Sequence, residues 1–293
     1  MDDTGLDDRA AREALARLPA SIGLGSDAVL RRLDGMTNEV YEVTDGGRSW
    51  VLRVPGVGIG ADLDRAAERH NAEAAARLGI APEVVHVDEA DGLMLTRWVG
   101  REGLSAARLR DEPGLLAGVA ATLGRLHRSG VRFRDRCVPL DLVDRHLSAA
   151  GTVPGRVRAL VAAAERAWSA GGGGRRSDAP CHNDPWPSNF VVGDDRLWLV
   201  DWEYSAMGDP VWDLVNVSAG AGLDAAGDRR LVEAYGGPDV EETIVAIARL
   251  RPVCDLMVGA WALAQHAAGN RSSDYRAYAE EHLDRAAEGF ATT

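Results

Sequence analysis

Apolar and polar positions alternate with the two-residue period of half-buried strands over residues 28–33, 40–44 and 49–54. Asp45-Gly46-Gly47 closes the last two into a hairpin, and a small-residue turn at 34–38 joins the first two. A helical period replaces the alternation over 6–18 and again over 62–78, where Gly79 supplies the C-terminal stop. Strands at 84–88 and 93–99 follow, joined by a turn at Asp91-Gly92. Beyond them the 3.6-residue period dominates, predicting helices over 115–127, 140–149, 157–168, 210–217, 225–235, 240–266 (interrupted at Pro252) and 275–287. A glycine run at 171–174 reads as a flexible loop. The single exception among the helices is a short hairpin, 190–192 and 197–200 around the turn 193–195. Strands first and helices after predict an α+β architecture of two lobes: a small β-rich lobe over 1–99 and a large helical lobe over 100–293.

Composition narrows the partners. The chain has 293 residues, 46% of them hydrophobic, enough for a substantial core, and a formal charge of −12. Nucleic acid and anionic membrane surfaces both require basic protein surface, so neither is expected as a partner. An acidic field favours a cationic small molecule instead. No apolar run reaches the length of a membrane span, and the acidic start lacks the apolar core of a signal peptide. Cys137, Cys181 and Cys254 are odd in number and far apart, which points to reduced thiols and a cytoplasmic setting. With no C-x-x-C pair or histidine cluster beside it in sequence, Cys181 reads as a buried structural thiol. All the basic residues besides histidine are arginines; the chain has no lysine.

The chemistry concentrates in C-H-N-D-P-W-P-S-N-F, from Cys181 to Phe190, and in the hairpin that follows it. His182, Asp184 and Asn189 occupy a proline-containing loop, and the hairpin returns a second carboxylate, Asp201, towards them. Phosphoryl transfer needs such a set: one carboxylate to orient a hydroxyl, and an amide with a second carboxylate to hold Mg²⁺ on the phosphates of ATP. H-x-D-x-x-x-x-N followed by a metal-binding Asp after the next strand is the pattern of kinase catalytic loops. Together with V-D-W-E-Y-S-A-M-G-D-P-V-W-D-L-V-N, from Val200 to Asn216, the loop resembles the choline/ethanolamine kinase family within the aminoglycoside phosphotransferase-like superfamily.

The resemblance implies a protein-kinase-like fold and ATP- and Mg²⁺-dependent phosphorylation of an amino alcohol, most simply choline or ethanolamine. It makes Asp184 the group that handles the hydroxyl proton, His182 a brace for the loop, and Asn189 and Asp201 the metal ligands. Gly35, Thr37 and Asn38, within G-M-T-N, stand where the family's phosphate loop lies. Arg53, in V-L-R-V, stands where kinases usually carry a lysine, and Glu68 is its expected partner, with Glu73 the competitor. Residues 97–100 would lead into the hinge. Asp213 is expected to brace the loop. Eight tryptophans against three phenylalanines suggest an aromatic cage for a cationic head group. Trp186, Trp202, Trp212 and Trp261, with Glu203 and Tyr204, are the substrate candidates, while Trp98, Trp168 and Trp198 read as core or hinge. W-A-L-A-Q at Trp261, with Tyr275 and Tyr278, resembles the C-terminal part of bacterial choline kinases.

Three rivals stand beside this reading. Gly56-Val57-Gly58-Ile59-Gly60-Ala61 fits a dinucleotide-binding G-x-G-x-x-A, yet Pro55 separates it from its strand and the helical second half supplies no doubly wound sheet. An aminoglycoside or thiamine phosphotransferase would share the catalytic loop. A catalytically silent nucleotide-binding regulator would lack one of Asp184, Asn189 or Asp201, and all three are present. No A-P-E segment follows Asp201, which argues against a protein kinase.

Overall fold

The computed structural model describes residues 4–33, 35, 38–56, 63–100, 103–170, 178–237 and 239–292. Thr37, the glycines at 58 and 60 and the 171–174 run lie outside them. The first lobe comprises α1 (Thr4–Ala16), β1 (Val29–Leu33), β2 (Glu39–Asp45), β3 (Arg48–Val54), α2 (Arg65–Arg77), β4 (Val84–Val87) and β5 (Met94–Arg97). The strands form one antiparallel sheet in the order β1-β2-β3-β5-β4. Asp45 pairs with Arg48 across Gly46 and Gly47, both at positive φ (55° and 76°), the conformation of a two-residue hairpin that matches strand twist. Strand alternation then sorts the faces. Tyr41, Val43, Trp50, Leu52 and Leu95 pack on Ala11 and Ala14 of α1, so Arg53, next after Leu52, turns to the opposite face. That face meets α2.

The second lobe contains α3 (Ala106–Asp111), α4 (Pro113–His127), α5 (Pro139–Ala150), α6 (Val157–Ala170), β6 (Ala179–Cys181), β7 (Phe190–Val192), β8 (Leu197–Leu199), β9 (Ala206–Gly208), α7 (Pro210–Ala221), α8 (Ala225–Tyr235), α9 (Val240–Ala267) and α10 (Tyr275–Thr292). The expected hairpin is β7–β8, and β6 pairs with β9. Strands β6 and β9 and helix α3 were not anticipated, because runs of three to six residues carry too little periodicity to register. Helix α9 also runs unbroken through Pro252. A proline there forgoes one helix bond, but its buried ring packs against Gly289 of α10, where an added Cβ would come within 2.5 Å of it. The core of this lobe gathers Leu123, Leu126, Trp202, Trp212, Val215 and Leu256. The β7–β8 hairpin is fastened to its surroundings by Leu199 N–H to the Ile80 carbonyl (2.9 Å) and Leu104 N–H to the Phe190 carbonyl (2.8 Å). Among the described residues no helix is long and apolar enough to cross a membrane.

Candidate active site

The loop between β6 and β7 owes its shape to one buried carboxylate. Asp213, in the first turn of α7, accepts the backbone N–H groups of His182 (2.9 Å) and Asn183 (2.7 Å) and the Nε2–H of His127 (2.9 Å). Asn183 can then sit at φ 66°, which turns the chain so that Asp184 enters the cleft. His182 is fully buried, donates Nε2–H to the Val200 carbonyl (3.0 Å) and meets Trp202 edge to face at 4.7 Å. Burial depresses its basicity despite Asp213 and Asp201. It does not line the cleft and braces the loop from behind. Cys181 lies beside His127 and Asp213 after all, a histidine neighbour invisible in sequence. Their polar atoms are committed, however: Asp213 to the loop and to His127, and His127 Nδ1 to the Tyr235 hydroxyl (3.0 Å). This cluster is a structural hub, and burial pushes the Cys181 thiol far up.

A cleft of about 1060 Å³ runs between the lobes, bordered by Gly35, Asn38 and Arg53 on one side and by Asp184, Asn189, Asp201 and Glu203 on the other. Asn189 donates its amide to the Asp184 carbonyl (2.9 Å) and, at 3.4 Å, to the Asp184 carboxylate. Asp201 follows β8 in the left-handed conformation, φ 67°. Arg53 donates to Glu68 (2.5 Å), to the Gly92 carbonyl (3.2 Å) and to Asp201 (3.4 Å). Glu68 is its partner, while Glu73 faces outward and pairs with Arg69 (2.9 Å). Arg65 completes the network, donating to Glu68 (2.8 Å) and to Glu203 across the cleft (3.4 Å). Burial works against the charges of Arg53 and Glu68, but their mutual attraction prevails and both stay ionised.

Four carboxylates thus face two guanidiniums. Burial, reinforced by Asp201 and its acidic neighbours, raises the proton affinity of Asp184 well above the ordinary carboxylate range. Asp201 is raised too, burial outweighing Arg53, and Glu203 is pushed up to about 7 by burial and Asp201. Crowded carboxyls with raised proton affinity suit a divalent cation, which would relieve the repulsion. Asp201 and the Asn189 side chain offer the hard oxygen donors that Mg²⁺ takes, so the residues fit that metal.

The cleft is also lined by aromatic side chains. Trp186, Tyr204, Trp261 and Tyr278 line it with Met257 and His146. Burial holds His146 down to about 4, so it lines the site uncharged at neutral pH. Trp202 is only 4% exposed and reaches the cleft edge while packing on Phe133 and His182, its Nε1–H donated to the Leu199 carbonyl (3.0 Å). Trp212 departs from expectation. It is buried against Trp168 (6.2 Å between rings) and lies outside the cleft, because α7 turns that face into the helical core.

Sequence reasoning overlooked Arg65, Gly92 and His146. Arg65 did carry a signal: a cation in the first turn of a helix opposes the helix dipole, and such a residue needs acidic partners. Gly92 (φ 88°) leaves room for it, since a Cβ there would lie 2.5 Å from Arg65 Nε.

Residues 29–253 match the model of the family described as "Phosphotransferase enzyme family". Protein LicA of Haemophilus influenzae is 30% identical over 207 residues in one strain, covering 68% of this chain and 76% of that protein, and over 212 residues in another sequence, of which only 61% is spanned. A solved choline/ethanolamine kinase family protein from Mesorhizobium loti is 34% identical, with a TM-score of 0.81 over 97% of this chain and 94% of that one. Choline kinase LicA from Streptococcus pneumoniae shares the fold at 20% identity, with a TM-score of 0.80 over 98% of this chain and 99% of that one. The two-lobed architecture is therefore the protein-kinase-like fold. On the family match and the Mesorhizobium relative together, the chain belongs to the phosphotransferase enzyme family, in its choline/ethanolamine kinase branch.

Proposed function

We propose that this protein transfers the γ-phosphoryl group of ATP to the hydroxyl of a small amino alcohol, choline or ethanolamine. The observation that carries the reading is one cleft lined both by Asp184, Asn189 and Asp201 and by an aromatic wall of Trp186, Tyr204, Trp261 and Tyr278. Aromatic faces attract an ammonium group, and His146 adds no competing charge. An acceptor whose cation rests on that wall would present its hydroxyl towards Asp184.

In this reading Asp184 accepts the hydroxyl proton, its raised proton affinity suited to the task. Arg53, aimed by Glu68, grips phosphate oxygens in the role a kinase lysine has, with a planar fork in place of a point charge. Gly35 and Asn38 border the cleft, where they would face the phosphates; Thr37 lies outside the described residues. Asn189 and Asp201 would hold Mg²⁺, which supplies charge neutralisation at the phosphates. His182 and Asp213 keep Asp184 in place and touch no reactant.

The test is ATP consumption with Mg²⁺ over a panel of choline, ethanolamine, thiamine and aminoglycosides. The reading expects turnover with choline or ethanolamine at a KM well below that of any other member. Turnover confined to aminoglycosides or thiamine would replace the acceptor, and no turnover with any alcohol would make the protein a nucleotide-binding regulator.

A further inference from the structure

Four rings form a continuous edge-to-face line through the second lobe. Trp261 of α9 meets Tyr278 of α10 with centroids 6.5 Å apart, Tyr278 meets His282 at 4.6 Å, and His282 meets Trp186 of the catalytic loop at 6.3 Å. The interplanar angles lie between 71° and 82°. Trp186, Trp261 and Tyr278 border the cleft, whereas His282 is 1% exposed and stands behind them. It is the one member of the line that joins the α9–α10 wall to the loop carrying Asp184.

The polar atoms of His282 are spoken for. Nδ1 pairs with Asp255 (2.8 Å), and the Arg285 guanidinium lies against both ring nitrogens, 2.9 Å from Nδ1 and 2.6 Å from Nε2. Asp255 also accepts Arg285 Nε at 3.2 Å. The ring is thereby held in one orientation. Trp186 also packs closely on Gly220 of α7, where an added Cβ would lie 2.6 Å from Trp186 Cε3. The indole therefore packs on both a bare stretch of helix and a ring whose orientation two ionic partners determine.

We propose that His282, oriented by Asp255 and Arg285, is a positioning residue that fixes Trp186 and Tyr278 as the walls of the acceptor subsite and so governs affinity for the acceptor. The inference rests on the amino-alcohol reading for the identity of that acceptor. His282 acts through the two aromatic rings and touches no reactant.

The experiment measures steady-state kinetics of the wild type, His282→Phe and His282→Asn, together with melting temperatures and near-ultraviolet circular dichroism of the tryptophans. Phenylalanine keeps a ring and loses both polar anchors; asparagine keeps a donor for Asp255 and loses the ring. Both variants are expected to raise the acceptor KM roughly 3- to 30-fold, the range that misplacing one or two cation–aromatic contacts would produce. The KM for ATP should stay unchanged and the indole dichroism should change. An acceptor KM unaltered in both folded variants, or ATP and acceptor KM rising in parallel, overturns the proposal. Should one variant not fold, the other decides. Failure of the underlying reading is separate: wild-type protein would ignore choline and ethanolamine, and the same KM split would then be read with whichever alcohol it phosphorylates.

Discussion

Asp184 and His146 sit in one cleft, and burial suppresses the charged form of each: the carboxyl is driven up and the imidazole down to about 4. Replacing Asp184 by Asn keeps the shape and removes the proposed proton acceptor. Turnover should fall by about 10²–10⁴ while ATP binding, followed by calorimetry, is retained; a folded Asp184→Asn protein with normal turnover would remove the mechanism. For His146 the sign follows from linkage. Its folded pKa lies below its unfolded value, so the contribution to stability is present above about 6.5 and is lost as pH falls towards 4. Urea denaturation at pH 7 and pH 5 should show wild type losing about 1–2 kcal/mol more than His146→Gln. Equal losses in the two proteins would mean that His146 is not buried neutral.

At the scale of elements, β3, α2 and the β4–β5 turn assemble the arginine proposed to grip phosphate. Strand alternation turns Arg53 away from α1, α2 presents Glu68 one turn after its N-terminus, and Gly92 offers its carbonyl. Arg53 and Glu68 act as one unit, so Arg53→Ala and Glu68→Ala should each raise the KM for ATP and the double variant should cost far less than the sum. Strictly additive losses would show that the lobe grips phosphate without this pair. Arg53→Lys should keep part of the activity. The turn has its own test. Gly92→Ala places a Cβ against Arg65 at φ 88°, where an alanine is strained, and should destabilise by about 1–3 kcal/mol in thermal or urea unfolding. Unchanged stability would mean that Arg65 moves aside freely.

Across the whole molecule the lobes meet through Arg53–Asp201 and Arg65–Glu203, each 3.4 Å, over a floor of crowded carboxylates. A ligand that binds only the folded protein stabilises it by mass action, about 2.7 kcal/mol at a hundredfold excess over Kd. Mg²⁺ with ATP should therefore raise the melting temperature more than ATP with a chelator. Asp201→Ala should lose that difference along with Mg²⁺-dependent turnover. A variant that keeps both would move the metal to other ligands.

Local physics was legible from the residues alone. Periods of 2 and 3.6 marked the long elements and the order of strands before helices, and H-x-D-x-x-x-x-N with its hairpin marked the candidate catalytic loop, because these patterns depend only on neighbours within a few positions. Arg53 and Glu68 were also within reach, fifteen residues apart on adjacent elements. What the tertiary structure decided concerns partners far apart in the chain. Arg65 and Glu203 are separated by 138 positions, His127 and Asp213 by 86, and Asp255 and His282 by 27. No period records which faces of packed helices will meet. The same limit explains Trp212 and Trp186: tryptophans of equal hydrophobicity 26 residues apart by their numbering, one sealed against Trp168 and one at the cleft, were told apart only by the way α7 docks between its neighbours. Burial of that surface dominates the folding energy, and it is a property of the assembled core.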